Sequence, residues 1–370
     1  MDSKNDPDLV LDSNGICNHC NNYDKAYALL PKGDAKKKKL DEILSKIKEE
    51  GKKKKYDCLM GVSGGVDSTY LTYIAKNLGL RPLIIHFDNG WNSELAVKNI
   101  ENVLQKLKFN LLTYVIDWEE FKDIQSSYFK AGVVDIEFPT DHAIIAAMYT
   151  LAIKNDIKYI LSGHNLATEG TYLPQSWVHS KLDYLNLKDI HNKYGEKNLK
   201  TFPNLSFSKK IYYHFFKKLE FIHLLDYISY DKKEAKKYLI EHLSWKDYGG
   251  KHYESIFTRF YQGYILPNKF GIDKRQFHYS SLICSGQMTR EETLEEMKKP
   301  IYDESLLKVD KEFVLKKLGF TDKEFDLYMK APIKKHNNYK TEEYIWNKYF
   351  RIVKMVKPFT KIFKKQSTHL

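Results

Sequence analysis

Short apolar runs alternate with helix-length amphipathic segments between residues 56 and 162, and no other feature constrains the fold as tightly. Tyr56–Val62 reads as a strand that breaks into a glycine turn and enters a helix, Thr69–Leu78, ended by Gly79. Pro82–Phe87 is short, apolar and β-branched, and is predicted as a buried strand. Glu94–Leu107 places Val97, Ile100, Leu104 and Leu107 at helical spacing. Leu111–Ile116 and Lys158–Ser162 read as further strands, with a helix over Asp141–Lys154 between them. Strands separated by helices require right-handed crossovers, so the expected fold is α/β with a doubly wound, mostly parallel sheet. Upstream, residues 1–30 read as loop, and a lysine-rich helix covers Lys36–Glu50. After about residue 170 the alternation stops and the chain reads as helical and aromatic; most of its 27 Tyr and 20 Phe lie beyond residue 200. The expected organisation is an N-terminal segment over 1–54, an α/β domain over 55–200 and a helical region over 201–370.

In an open parallel sheet, ligands sit beyond the carboxyl ends of the strands. Three polar segments follow those ends: SGGVDST at 63–69, HFDNGW at 86–91 and SGHNLATE at 162–169. They should converge on one crevice. The first is the most specific. A glycine turn that opens a helix offers several backbone N–H groups to an anion, and the helix dipole adds positive potential. Ser63, Gly64, Gly65, Val66, Ser68 and Thr69 form that cradle, with the hydroxyls as further donors. Asp67 is the odd member, because a carboxylate repels phosphate unless a cation such as Mg2+ lies between them. The corner therefore points to a magnesium-bound nucleotide polyphosphate. The lysine-bearing G-x-x-x-x-G-K-[ST] loop is absent, and so is G-x-G-x-x-G. The alternative is a tight turn in which the glycines serve backbone geometry alone.

The SGGVDS run at 63–68 resembles the signature of the PP-loop ATP pyrophosphatases. That resemblance implies a Rossmann-like sheet, ATP bound through its pyrophosphate, and adenylation of a carbonyl or carboxyl oxygen with release of pyrophosphate. A longer resemblance rests on DSNGICNHC at 12–20, SGHNLATEG at 162–170, GGKHYESIFTRFYQ at 249–262 and LICSGQMTREE at 282–292. These segments are similar to those of bacterial N-acetyl sugar amidotransferases of O-antigen, lipopolysaccharide and flagellar glycan synthesis. This similarity implies conversion of an acetamido group on a nucleotide-activated sugar to an acetamidino group. It also implies ammonia from a separate glutaminase, with a cyclase-like partner often present. The residues suit such chemistry: positioning and charge neutralisation are needed, and no protein nucleophile is conspicuous.

The remaining candidates are weaker. By the resemblance, His86 and Asp88 face the adenosine; otherwise they are a solvated loop pair. Gly163 and His164 should lie near the nucleotide, or else form a turn with a surface histidine. Glu169 could help Asp67 hold Mg2+, or serve as a helix-start carboxylate. Asp141 and His142 follow Pro139 and read first as N-terminal capping residues. Lys181 joins Asp67 and Ser63 in the candidate catalytic set. Lys251, His252, Glu254 and Arg259, with Arg275, are a charged cluster suited to an anionic nucleotide sugar or to surface ion pairing. Cys17 and Cys20 have metal-ligand spacing, but one C-x-x-C is half of a zinc site. By the resemblance they belong to a zinc-knuckle-like segment with an earlier C-x-x-C that this sequence does not show; either the start is truncated, or the other ligands come from elsewhere, with Cys284, His19, His252 or His278 as substitutes. Cys58 reads as core.

No run of about 18 apolar residues exists, and the start lacks a signal-peptide core. Four cysteines in 370 residues suit a reducing cytoplasm rather than a disulfide scaffold. The net charge of +12 admits nucleic acid, an anionic membrane or an anionic substrate, but much of the excess sits in Lys36–Lys39 and Lys52–Lys55. A basic, bulky tail over 344–365 could lie on a membrane or cap the core. Two rival readings remain. One is a tRNA-thiolating PP-loop enzyme, which would want reactive cysteines near the ATP site. The other is a non-catalytic nucleic-acid or membrane binder, which leaves the SGGVDS turn unexplained.

Overall fold

A computed structural model describes the chain except for Tyr172, Lys251, His252 and residues 346–370. Five parallel strands run β1 (Cys58–Gly61), β2 (Pro82–Asp88), β3 (Leu111–Val115), β4 (Tyr159–Ser162) and β5 (Glu220–His223). Their order in the sheet is β3-β2-β1-β4-β5. Cys58 pairs with Pro82, Leu59 with Ile160, Ile84 with Leu111 and Tyr159 with Glu220. The chain thus winds one way from β1 to β3, then crosses to the other side of β1, leaving a topological switch point between β1 and β4.

Fifteen α-helices are seen among the described residues. Those around the sheet are α1 (Asn18–Leu29), α2 (Gly33–Gly51), α3 (Val66–Asn77), α4 (Glu94–Leu107), α5 (Trp118–Ala131), α6 (Phe138–Lys154) and the single turn α7 (Leu166–Glu169). Then follow α8 (Tyr184–Tyr194), α9 (Phe207–Ile211), α10 (Lys232–Leu243), α11 (Ile256–Phe260), α12 (Arg275–Cys284), α13 (Arg290–Lys298), α14 (Glu304–Leu318) and α15 (Asp322–Lys330).

Because side chains alternate along a strand, each central strand feeds two cores. Cys58 and Met60 of β1, with Tyr159 and Leu161 of β4, pack with Leu44 and Ile47 of α2 and Leu71 and Ala75 of α3. Leu59 and Ile160 turn the other way, against Ala146, Met148, Tyr149 and Ala152 of α6. A third and larger core is aromatic. Trp91, Phe121, Tyr128 and Phe138 from the α/β part meet Phe257, Phe260, Val314, Leu315 and Phe325 from the helical part. Phe-, Tyr- and Trp-rich packing of this kind buries large apolar areas, so the helical region is fused to the sheet along α5 and α6.

The structure differs from the sequence expectation at several places. The sheet takes its last strand from residues 220–223, beyond the expected end of the α/β unit at residue 200. Four residues, EFIH, between helical segments carry too short a pattern to register. The loop expected over residues 1–30 holds α1. Asp141 and His142 are not caps: α6 begins at Phe138, three residues earlier, so both lie inside its first turns. Among the described residues no helix is long and apolar enough to cross a membrane. The basic tail over 344–365 lies almost wholly outside the described residues.

Candidate active site

The glycine corner connects β1 to α3 at the switch point. Gly64 has φ +88°, and a Cβ there would come within 2.9 Å of the Ala96 carbonyl oxygen, so glycine is required by both conformation and space. Helices α4, α5 and α8 begin with side-chain caps from Ser93, Asp117 and Asp183. Helix α3 follows Gly65 and has no side-chain cap, which leaves N–H groups of its first turn to an anion. Ser63 is exposed at the mouth of the turn. Its hydroxyl accepts from the Gly65 N–H at 3.2 Å and lies 3.2 Å from the Ser68 hydroxyl, so the two serines line one side of the cradle. Thr69 does not join them: it is fully buried behind the turn, on the core side of α3.

The loop after β4 packs directly on this corner. A Cβ on Gly163 would lie 2.8 Å from the Ser68 backbone nitrogen, so only glycine allows the two loops to meet. His164 Nδ1 contacts Glu169 Oε2 at 2.5 Å. Asp67, in the first turn of α3, accepts a short hydrogen bond from the Tyr230 phenol. Burial, and then the charge of Asp67 itself, push that phenol well above its ordinary pKa, so it stays a donor. The second Asp67 oxygen has no protein partner among the described residues. Asp67 and the serine hydroxyls of the same turn are oxygen donors of the kind a hard divalent cation takes, so Asp67 is the residue that would hold Mg2+, whereas the Glu169 carboxylate is engaged by His164.

Aromatic residues fix the turn from behind. Trp245 Nε1 and Tyr248 Oη both donate to the Gly64 carbonyl, at 2.8 and 2.9 Å. Sequence reasoning missed both, together with Tyr230. The available signal was the WKDYGG run at 245–250, which leads straight into the GGKHYES segment. Glu254, expected at the substrate, reaches this turn too: a Cβ on Gly65 would sit 3.3 Å from its Oε1. Its backbone oxygen accepts from Ser93 N at 2.8 Å, and Ile256 N donates to Trp91 O at 2.8 Å.

Other expected residues serve different ends. His86 is buried, with Nδ1 3.2 Å from the Val62 carbonyl and Nε2 3.2 Å from Asn92 Nδ2, so both ring nitrogens bind loops of the protein rather than a nucleotide. Asp88 accepts from the Gly90 N–H at 2.8 Å and shapes the β2–α4 turn while remaining partly exposed. Arg259 does not face a substrate: its guanidinium grips Asp310 at 2.6 and 2.9 Å, in a helix-to-helix tie. Arg275 is likewise paired, with Asp273. Lys251 and His252 lie outside the described residues.

Lys181 is held by Asp135 at 2.7 Å and Asp141 at 2.9 Å. Burial opposes its charge, but the two carboxylates more than offset this and raise its pKa. It stands beside the start of α6. Met148 of that helix lies against Gly61, at the end of β1. The preceding turns, at about 1.5 Å per residue, therefore project past the strand end toward the crevice.

The zinc expectation finds no donor set. Cys17 and Cys20 sulfurs are 3.4 Å apart at the start of α1, and Cys284 lies beside Cys20. Burial, then hydrogen bonding to Cys17, pushes the Cys20 thiol up to about 12. His19 turns away to Asp6, at 2.5 Å. Among the described residues no group of three or more His, Cys, Asp or Glu is arranged to hold a metal ion. Cys58 is fully buried in β1, as expected for a core residue.

Residues 254–354 match the family model of the LPS biosynthesis protein WbpG-like, C-terminal domain. That is about a quarter of the chain, and it begins at Glu254, the residue set against the glycine turn. No curated protein matches the chain. Among solved structures, the NH3-dependent NAD synthetase from Campylobacter jejuni is 13% identical, with 81% of this chain and 98% of that one covered at a TM-score of 0.33. The NMN synthetase from Francisella tularensis is 12% identical, covering 50% and 71% at a TM-score of 0.30. A tRNA methyltransferase subunit from Methanocaldococcus jannaschii is 16% identical, covering 50% and 74% at 0.26. The fold reading rests on the strand order and register, not on these likenesses.

Proposed function

We propose that the protein is an ATP-dependent amidotransferase that converts an acetamido group of a nucleotide-activated sugar to an acetamidino group. The observation that carries this reading is the uncapped start of α3, with Asp67 in its first turn, at the switch point of a parallel sheet. The match of residues 254–354 to a domain of lipopolysaccharide-biosynthesis proteins supports a sugar substrate. Work on ATP and nucleotide sugars suits a cytoplasmic enzyme.

An amide carbonyl is a weak electrophile, so its oxygen must first be turned into a leaving group. The free N–H groups of α3 and the Ser63 and Ser68 hydroxyls would bind the β- and γ-phosphates and draw off charge as pyrophosphate departs. Bound Mg2+ would supply the positive charge that lets Asp67 sit beside phosphate. The amide oxygen attacks the α-phosphorus, the bond to pyrophosphate breaks, and an adenylated imidate results. Ammonia then adds to the imidate carbon, a proton is lost, and AMP leaves with the former amide oxygen. The protein aligns these groups and excludes water; Lys181, Asp141 and Glu254 at the crevice rim are the residues we place nearest the sugar.

Ammonia would come from a partner glutaminase. Cys58 is sealed in the core, Cys17 lies against Cys20 with no histidine beside it in an evident supporting motif, and burial raises the thiols of Cys20 and Cys284, so none resembles an activated nucleophile. The chain alone, given ATP, Mg2+ and an acetamido nucleotide sugar, should form AMP with concentrated ammonium and fail with glutamine. Glutamate release from glutamine by the isolated chain would contradict the partner. AMP formation that depends on tRNA instead of the sugar would contradict the substrate.

A further inference from the structure

Tyr230 is tied at both ends. Its phenol donates to Asp67 Oδ1, and its ring packs on Tyr70 at 5.7 Å between centroids. Its backbone is gripped by one side chain from far along the chain. Gln287 Nε2 donates to the Tyr230 carbonyl at 3.0 Å, and Gln287 Oε1 accepts from the Lys232 N–H at 2.9 Å. Gln287 follows α12 in the SGQMTREE run and lies within the WbpG-like segment. A primary amide is matched to this task, since it donates and accepts in one plane and so fixes both the position and the direction of the backbone it spans.

We propose that Tyr230 is a positioning residue that aims the Asp67 carboxylate at the cation, and that Gln287 sets Tyr230, linking the helical domain to the nucleotide loop. This rests on the reading of Asp67 as the residue that holds Mg2+. The bond to Tyr230 occupies one carboxylate oxygen and leaves the other without a protein partner among the described residues. Without the phenol, Asp67 would rotate about its own side-chain bonds, and the ordered oxygen would be lost to the metal. The hydroxyl group is needed for this role, whereas the ring alone would satisfy packing.

The test is equilibrium binding of a fluorescent ATP analogue to the full chain, titrated with Mg2+, with thermal melts as a check on folding. Tyr230→Phe keeps the ring and should raise the Mg2+ concentration at half-maximal binding about tenfold, the size expected for losing a hydrogen bond to a charged group. Gln287→Ala should shift it in the same direction. The double variant should shift it no further than Tyr230→Phe, because both act through one group. Unchanged Mg2+ dependence in folded Tyr230→Phe overturns the proposal, and so do additive shifts. If Tyr230→Phe does not fold, an unshifted Gln287→Ala overturns it. Wild-type protein that binds no nucleotide at any Mg2+ concentration overturns the amidotransferase reading itself.

Discussion

At the residue scale, burial fixes the protonation of His142, which holds the backbone of Lys181. Its ring is fully buried, with Nδ1 2.8 Å from the Lys181 carbonyl and Nε2 accepting from the Leu205 N–H at 3.1 Å. That pattern demands a neutral ring, and burial pushes its pKa down to about 4 from an ordinary 6.5. Below pH 6.5 the unfolded chain takes up a proton that the folded one refuses. Stability from this residue is therefore complete above pH 6.5 and falls as pH drops toward 4, by on the order of 3 kcal/mol. Melting temperatures measured from pH 7 to pH 4 should fall more steeply for the wild type than for His142→Gln. Parallel curves would contradict the assignment. Because His142 holds the Lys181 backbone, the same acid range should loosen that lysine from the crevice.

At the scale of elements, the helical region does more than cover the sheet. Helix α14 makes two ties toward the nucleotide side. Its Asp310 binds Arg259 of α11, and the Tyr302 hydroxyl donates to the same carboxylate. Its Lys317 donates to the Gly90 carbonyl and lies 4.9 Å from the Trp91 ring and 4.6 Å from that of Trp118. Asp310 is buried, so Asp310→Ala would strand a largely buried guanidinium at a cost of about 3 kcal/mol or more. Asp310→Asn keeps an acceptor for Tyr302 and should cost less. Urea denaturation measures both, and equal effects would show that the charge pair is not what holds α11 to α14.

These ties explain which elements were legible in the sequence. Helix Glu94–Leu107 and the strands at 82–88 and 111–115 follow from local periodicity, and the structure places them within one residue of expectation. The corner at 63–68 was readable because only a glycine turn opening a helix has that chemistry. By contrast, β5 is four residues long and is held by its pairing with β4, which leaves no local mark. Tyr230, Trp245 and Tyr248 reach the loop from 163 to 184 positions away in sequence, and their type alone does not separate them from the aromatic core. Arg259 failed as a substrate residue for the same reason, since the carboxylate that satisfies it arrives from a distant helix.

At the scale of the whole molecule, the order β3-β2-β1-β4-β5 places the loops after β1 and β4 side by side, and the helical region closes over them with Glu254 at the turn and Gln287 behind Tyr230. On the proposed function, this assembly makes an amide oxygen attack the α-phosphorus of ATP. Labelling the acetamido oxygen of the nucleotide sugar with the heavy isotope 18O tests this directly. With ATP, Mg2+ and ammonium, mass spectrometry should find one labelled oxygen in the phosphate of AMP, none in pyrophosphate, and none in the acetamidino product. Unlabelled AMP, or ADP and phosphate in place of AMP and pyrophosphate, would contradict it.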